Sequence, residues 1–203
     1  MKMSLFTLVV LGYLLGSVPF ALVIGKGIYR VDVRHHGSGN LGATNTGRVL
    51  GLLAGGTVMI LDAAKASLIV ILSVRCCVDE AALPLSGLAV AIGHCYPVFA
   101  GFKGGKAVAV LYGFLFGLIT FAGYSPSVFV LPLGVFMGIL YCTKIVSLSG
   151  TISAVIAAVC VYLVGESPFV FGAVFALALL VLFRHRENIQ RVVKGEENKI
   201  SWL

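Results

Sequence analysis

Three short polar stretches interrupt a chain that is otherwise almost all oil, and they limit what it can fold into. They read GSGNLGATNTGR (Gly37 to Arg48), GHCYPVFAGFKGGK (Gly93 to Lys106) and RHRENIQRVVKGEE (Arg184 to Glu197). Only 11% of the 203 residues are charged, while 59% are apolar. The mean hydropathy of +1.05 excludes an ordinary soluble domain and a disordered chain. An oily chain that gathers Gly, Asn, Ser, Thr, His, Lys and Arg in three islands keeps one polar site at the edge of a membrane. These residue types suit a phosphate, because glycines expose backbone N–H groups and Arg and Lys supply charge-assisted donors.

A bilayer core takes about 20 mostly apolar residues per helix. The stretches between the islands predict seven spans, at 4–24, 50–74, 81–101, 107–123, 127–143, 146–164 and 168–183. That makes an all-α, polytopic membrane protein, read as a single integral-membrane domain over 1–203. The first run is too long for a signal-peptide core of about 7–15 residues and is read as a retained helix. Gly123-Tyr124-Ser125-Pro126 is a turn signal separating the fourth and fifth spans. No internal repeat is evident.

The basic residues set the orientation. With the N-terminus outside, the inner segments carry twelve Lys and Arg against four acids, and the outer ones Lys2 and Arg75 against Asp79, Glu80 and Glu166. This places the C-terminus and all three islands in the cytoplasm. With so little soluble surface, the positive charge points to that membrane face and not to nucleic acid. The five cysteines (Cys76, Cys77, Cys95, Cys142, Cys160) show no CxxC or Cys/His spacing, so they read as small apolar packing residues with no metal site.

In the first island, Gly37 to Gly42 matches GxGxxG and Asp62 lies twenty residues further on, but the βαβ unit a dinucleotide site needs is missing. A glycine-rich loop leading into a helix still makes an anion site. Ser38, Asn40, Thr44 and Asn45 add side-chain donors, and Arg48 a bidentate fork. In the second island, Ala100 and Ala107 stand where a Walker loop needs Gly and Ser or Thr. Lys103 and Lys106 around Gly104-Gly105 remain a candidate phosphate cradle. His94 reads equally as a structural hydrogen-bonding residue or a reactive one. In the third, a helix continuing from the seventh span would align His185 with Asn188 and with Arg191 or Val192 on one face. Asp62 and Lys65, three residues apart in an apolar span, can pair; they read equally as a functional pair, lining the path of an anion transporter, or as a structural ion pair.

The three islands resemble the cytoplasmic motifs of the bacterial integral-membrane glycerol-3-phosphate acyltransferases that use acyl phosphate. The family patterns GSGNxGATNxxR, GHxFPxFxxFKGGKGVAT and RHxxNIxRxxxGxE are met in order and spacing; Tyr96, Ala107 and Val110 depart from the second. The resemblance implies seven spans, an inner-membrane location and acyl transfer to the sn-1 hydroxyl of glycerol 3-phosphate, giving lysophosphatidic acid and inorganic phosphate. It also implies no cofactor or metal, a bilayer-held acyl chain, and hand-off of acyl phosphate from the enzyme that forms it. By the same resemblance His185, Asn188, Ser38 and Lys106 serve catalysis. Gly37, Gly39, Asn40, Thr44, Asn45, Arg48, Lys103, Gly104 and Gly105 bind phosphate. His185 or the substrate's own phosphate takes the hydroxyl proton.

Overall fold

The computed structural model describes residues 2–76, 79–165 and 167–200. Among them there are helices and turns and no strands. Ten α-helices follow in order: α1 (Leu5–Gly16), α2 (Phe20–Gly27), α3 (Ala43–Leu50), α4 (Leu52–Cys76), α5 (Ala82–Cys95), α6 (Val108–Phe121), α7 (Ser127–Thr143), α8 (Val146–Val164), α9 (Pro168–Arg184) and α10 (Arg186–Val193). Every apolar stretch of the sequence is helical, because a run without water-accessible polar side chains must satisfy its backbone within itself.

Among the described residues, four segments are long and apolar enough to cross a membrane by themselves: Leu5–Gly27, Leu52–Cys76, Ala82–Ala100 and Val146–Val164. Counting α9 with α10 as one bent unit makes five. α6 and α7, with 14 and 17 residues, are shorter.

Two helices break where the sequence alone suggested continuity. The first apolar run divides at Ser17–Pro19 into α1 and α2, because Pro19 has no N–H to donate and its ring excludes the preceding turn. The last run bends by 59° after Arg184, so the C-terminal helix does not continue straight. The His185 N–H still bonds Val181 O at 3.0 Å and Leu182 O at 3.1 Å, closing α9, and α10 starts at the next residue.

The core joins α1, α4, α5, α6, α8 and α9 through residues such as Leu8, Ile69, Val90, Leu111, Phe114, Val174 and Leu177, all at most 1% exposed. Between α4 and α6 the backbones nearly touch. A Cβ at Gly113 would stand 2.0 Å from Ala63 O, so only glycine fits there. The same contact lets Ser67 Oγ donate to Gly113 O at 2.7 Å. α7 packs instead on α8 and meets α6 mainly through side chains. Tyr112 Oη donates to Pro132 O at 3.0 Å, and the Tyr112, Phe116, Phe129 and Phe136 rings meet edge to face. A cleft therefore opens between the α4–α6 pair and α7. A second, smaller core of Ala21, Leu22, Ile24, Val33, Leu41, Ala54, Val58 and Ala100 seats the first polar island against α2 and α4. Cys95 and Cys160 are buried and Cys142 is exposed; Cys77 and Glu166 lie outside the described residues.

Candidate active site

The three islands, distant in sequence, border one cavity of about 790 Å³. Ser38, Asn40, Thr44, Asn45 and Arg48 come from the first, His94 and Lys106 from the second, and His185, Asn188, Arg191 and Glu197 from the third. The far end is apolar, with Ile60, Leu68 and Ile71 of α4, Phe116 of α6, and Leu133 and Met137 of α7.

The first island is folded by its own polar contacts. Asp32 accepts from the Arg34 backbone N–H at 3.1 Å and from its guanidinium at 2.7 Å, and pairs with Lys26 at 3.0 Å. The Arg34 guanidinium holds the Asp32 carboxyl far below the usual carboxylate range. Asn45, 2% exposed, ties the loop to α3: its Oδ1 accepts from Ser38 N at 2.7 Å and its Nδ2 donates to Val33 O and His36 O. Gly37 sits at φ +59°, with Asn45 Oδ1 filling the space of any Cβ. Gly37 and Gly39 thus shape the loop and do not border the cavity. Among the described residues the side chains of Ser38, Asn40, Thr44 and Arg48 have no protein partner, so their polar atoms are free for a ligand.

The second island runs from the end of α5 through a 3-10 turn at Val98–Ala100 and back under His94. Gly105 N donates to His94 O at 3.0 Å. Arg184, stacked on the Tyr96 ring, donates from Nε to Gly105 O and from its terminal nitrogen to Gly104 O, at 3.1 and 3.2 Å. Gly104 and Gly105 have no room for a side chain, since a Cβ on either would stand 2.1 Å from His94. Neither borders the cavity, nor does exposed Lys103; Lys106 does. Ala107, where the resembled pattern has glycine, caps α6 in the left-handed conformation at φ 61°.

Lys106 donates to Asn188 Oδ1. Asn188 Nδ2 in turn donates to Glu197 Oε1 at 2.5 Å, and Glu197 also accepts from Ser147 Oγ at 2.8 Å and Arg191 Nε at 2.7 Å. Glu197 belongs to a matched motif, yet nothing in the sequence gave it a role. Burial pushes its pKa up, but the bonds from Asn188, Arg191 and Ser147 outweigh this and leave it below the ordinary value. Burial lowers the pKa of Lys106, and nearby Glu197 offsets part of that.

His185 lies in the turn between α9 and α10, 5% exposed. Its Nδ1 is 2.8 Å from Val181 O. A carbonyl only accepts, so the proton is on Nδ1 and the Nε2 lone pair is free to accept a hydroxyl proton. Burial lowers its pKa to about 4, against an ordinary 6.5, so the ring is neutral at physiological pH. On α4, Asp62 and Lys65 form the expected ion pair at 2.8 Å, and Asp62 borders the cavity.

A cationic pocket continuing into an apolar cleft is the architecture of an enzyme that handles a phosphate-bearing substrate and a lipid chain together. The sequence matches the profile of the glycerol-3-phosphate acyltransferase family over residues 6–195, and the chain belongs to that family. It is 44% identical over 197 residues to glycerol-3-phosphate acyltransferase 3 of Bacillus anthracis, covering 97% of this chain and 96% of that one. It is 42% identical over 205 residues to glycerol-3-phosphate acyltransferase of Listeria monocytogenes serotype 4a (strain HCC23), covering all of both. The fold matches the crystal structure of PlsY (YgiH), an integral membrane glycerol 3-phosphate acyltransferase, in its glycerol 3-phosphate form. The TM-score is 0.89 and the identity 38%, covering 98% of this chain and 96% of that one. Its lysophosphatidic acid form matches over the same shares at 0.87 and 37%.

Proposed function

We propose that this chain is an inner-membrane enzyme that acylates glycerol 3-phosphate to lysophosphatidic acid, using acyl phosphate as donor and the sn-1 hydroxyl as acceptor. The observation that carries the reading is the continuity of one cavity, from the unpartnered Ser38, Asn40, Thr44 and Arg48 side chains and Lys106 to the apolar cleft between the α4–α6 pair and α7. Glycerol 3-phosphate and acyl phosphate each bring a phosphate to the polar end, and the acyl chain occupies the apolar end. The whole chain acts as one unit, with acyl phosphate received from the enzyme that makes it.

Acyl phosphate is a mixed anhydride. The glycerol hydroxyl attacks its carbonyl carbon, a C–O ester bond forms, the carbonyl–phosphate C–O bond breaks, and inorganic phosphate leaves with the electron pair. The protein's part is to hold the two reactants together and to neutralise charge with fixed donors. Arg48 and Lys106 bind and neutralise phosphate, with Ser38, Asn40 and Thr44 as further donors. Asn45, Gly37 and Gly39 hold the loop that presents them, while Gly104 and Gly105 place Lys106. His185 Nε2 accepts the hydroxyl proton in a hydrogen bond and aims the oxygen. The substrate's own phosphate, held in the same cavity with ionised oxygens, takes the proton. Asn188 is oriented by Lys106 and Glu197.

The seven apolar segments, counting α1 with α2, act as seven spans, with α3 and α10 at the membrane face. The N-terminus lies outside and the C-terminus in the cytoplasm. In support, the three islands share one cavity, and Ile200 N bonds Lys144 O at the same end. At the other end Met3 N bonds Cys76 O. Labelling a Ser38→Cys thiol in intact cells tests the orientation, and reaction from outside contradicts it.

The activity is tested with purified protein, labelled glycerol 3-phosphate and palmitoyl phosphate. Lysophosphatidic acid and inorganic phosphate should appear in equal amounts, with acyl-CoA a poor substitute. Comparable turnover with acyl-CoA would overturn the choice of donor.

A further inference from the structure

One charged cluster has no part in this mechanism. Asp62 and Lys65 are 1% and 3% exposed within apolar α4, where ionisable side chains are rare and commonly functional. Lys65 Nζ lies 2.8 Å from Asp62 Oδ1, donates to Gly16 O at 2.9 Å and Val18 O at 3.3 Å, and stands 3.0 Å from His94 Nδ1. Each neighbour has a reason. The break at Ser17–Pro19 takes Gly16 O and Val18 O out of the helical ladder, and within a membrane such carbonyls need another donor. An ammonium has no lone pair, so His94 Nδ1 is the acceptor and the ring proton is on Nε2.

The Nε2 edge of His94 faces the second island. A Cβ on Gly105 would stand 2.1 Å from Nε2, and one on Gly104 would stand 2.1 Å from His94 O. Gly105 N–H is already given to His94 O at 3.0 Å, and Arg184 holds both glycine carbonyls from the other side. The amide of Gly105 is therefore not free for a phosphate, and the glycine is required by the imidazole behind it. Lys106 is the next residue.

We propose that Asp62, Lys65 and His94 form a positioning device for Lys106. Lys65, neutralised by Asp62, fixes the His94 ring, and the ring fixes the Gly104-Gly105 backbone that aims the Lys106 ammonium into the cavity. Through Gly16 O and Val18 O the same ammonium holds the α1–α2 break, which leads to the Ser38 loop. One buried cation thus sets two of the three islands relative to each other. This inference rests on the reading of Lys106 as a phosphate ligand.

The test is a double-mutant cycle. His94→Asn keeps an acceptor for Lys65 but removes the Nε2 edge; Gly105→Ala puts a methyl where that edge stands. Each single substitution should raise KM for glycerol 3-phosphate about tenfold. Coupling between residues in contact reaches this size, so the double variant should recover to within about threefold of wild type. A Gly105→Ala defect undiminished in the His94→Asn background, as expected of a glycine that only makes room for phosphate, overturns the proposal. So does a wild-type KM in His94→Asn, which can be read even if Gly105→Ala does not fold. Lys106→Ala, measured alongside, separates the two layers. If it leaves KM unchanged, the site reading falls and the positioning role with it. If it raises KM while the cycle is additive, the positioning role alone falls.

Discussion

Lys106, just ahead of α6, donates to Oδ1 of Asn188, 82 residues later in α10, and this bond joins the second island to the third. Because Asn188 Nδ2 is held by Glu197 at 2.5 Å, the amide keeps its oxygen toward the lysine. Glu197→Ala therefore removes the acceptor of Asn188, Arg191 and Ser147 at once. Bonds to a charged group contribute about 1.5–3 kcal/mol each, so the melting temperature in detergent should fall and kcat with it. Unchanged melting and turnover would show that Glu197 holds nothing.

Arg48 and His185 should fail in different ways. Arg48 has no protein partner among the described residues, so Arg48→Ala removes a ligand contact, felt as a rise of about 10- to 100-fold in KM for glycerol 3-phosphate with kcat little changed. His185→Ala should lower kcat by about 10²-fold or more. His185→Asn should retain much of the rate, because an amide can still hold the hydroxyl. Near-complete loss in His185→Asn, with folding and KM intact, would make the histidine the base.

Acid should destabilise the protein. The folded-state pKa of His185 is near 4 against an ordinary 6.5, so between these values the unfolded chain binds more protons and stability falls as pH falls. Glu197, also depressed, contributes stability that is present above its ordinary 4.5 and lost below it. The melting temperature should drop from pH 6.5 toward 4, and less steeply in His185→Asn. A flat curve in this window contradicts the burial of His185.

Ala107 is a left-handed residue at φ 61° where the resembled pattern has glycine. A Cβ in that conformation costs roughly 1–2 kcal/mol, and the greater freedom of glycine in the unfolded chain offsets part of it. Ala107→Gly should raise the melting temperature slightly and leave activity intact. A lower melting temperature would show that the methyl, 1% exposed, packs more strongly than it strains.

What was legible in the sequence was whatever depends on neighbours along the chain. The apolar stretches, the Asp62–Lys65 pair and the loop before α3 follow from local pattern. The bend at His185 was not legible, because no Gly or Pro marks it and the His185–Asn188 spacing also suits a straight helix. Gly104 and Gly105 suggested a phosphate cradle by composition, but their neighbours His94 and Arg184 come from α5 and α9, and no spacing rule brings those together. Glu197 gained its partners from α8 and α10 for the same reason. Pro19 was visible; that its break would be bridged by a lysine on α4 was not.

In the proposed mechanism the acyl group passes directly between the two substrates within one cavity. Ser38 borders that cavity and, among the described residues, no base is bonded to its hydroxyl, so no acyl-enzyme should form on it. The most direct measurement is rapid-quench release of inorganic phosphate from labelled palmitoyl phosphate, with and without glycerol 3-phosphate. Release is expected only when glycerol 3-phosphate is present, in step with lysophosphatidic acid. A burst of phosphate equal to the enzyme concentration in its absence, lost in Ser38→Ala, would contradict it.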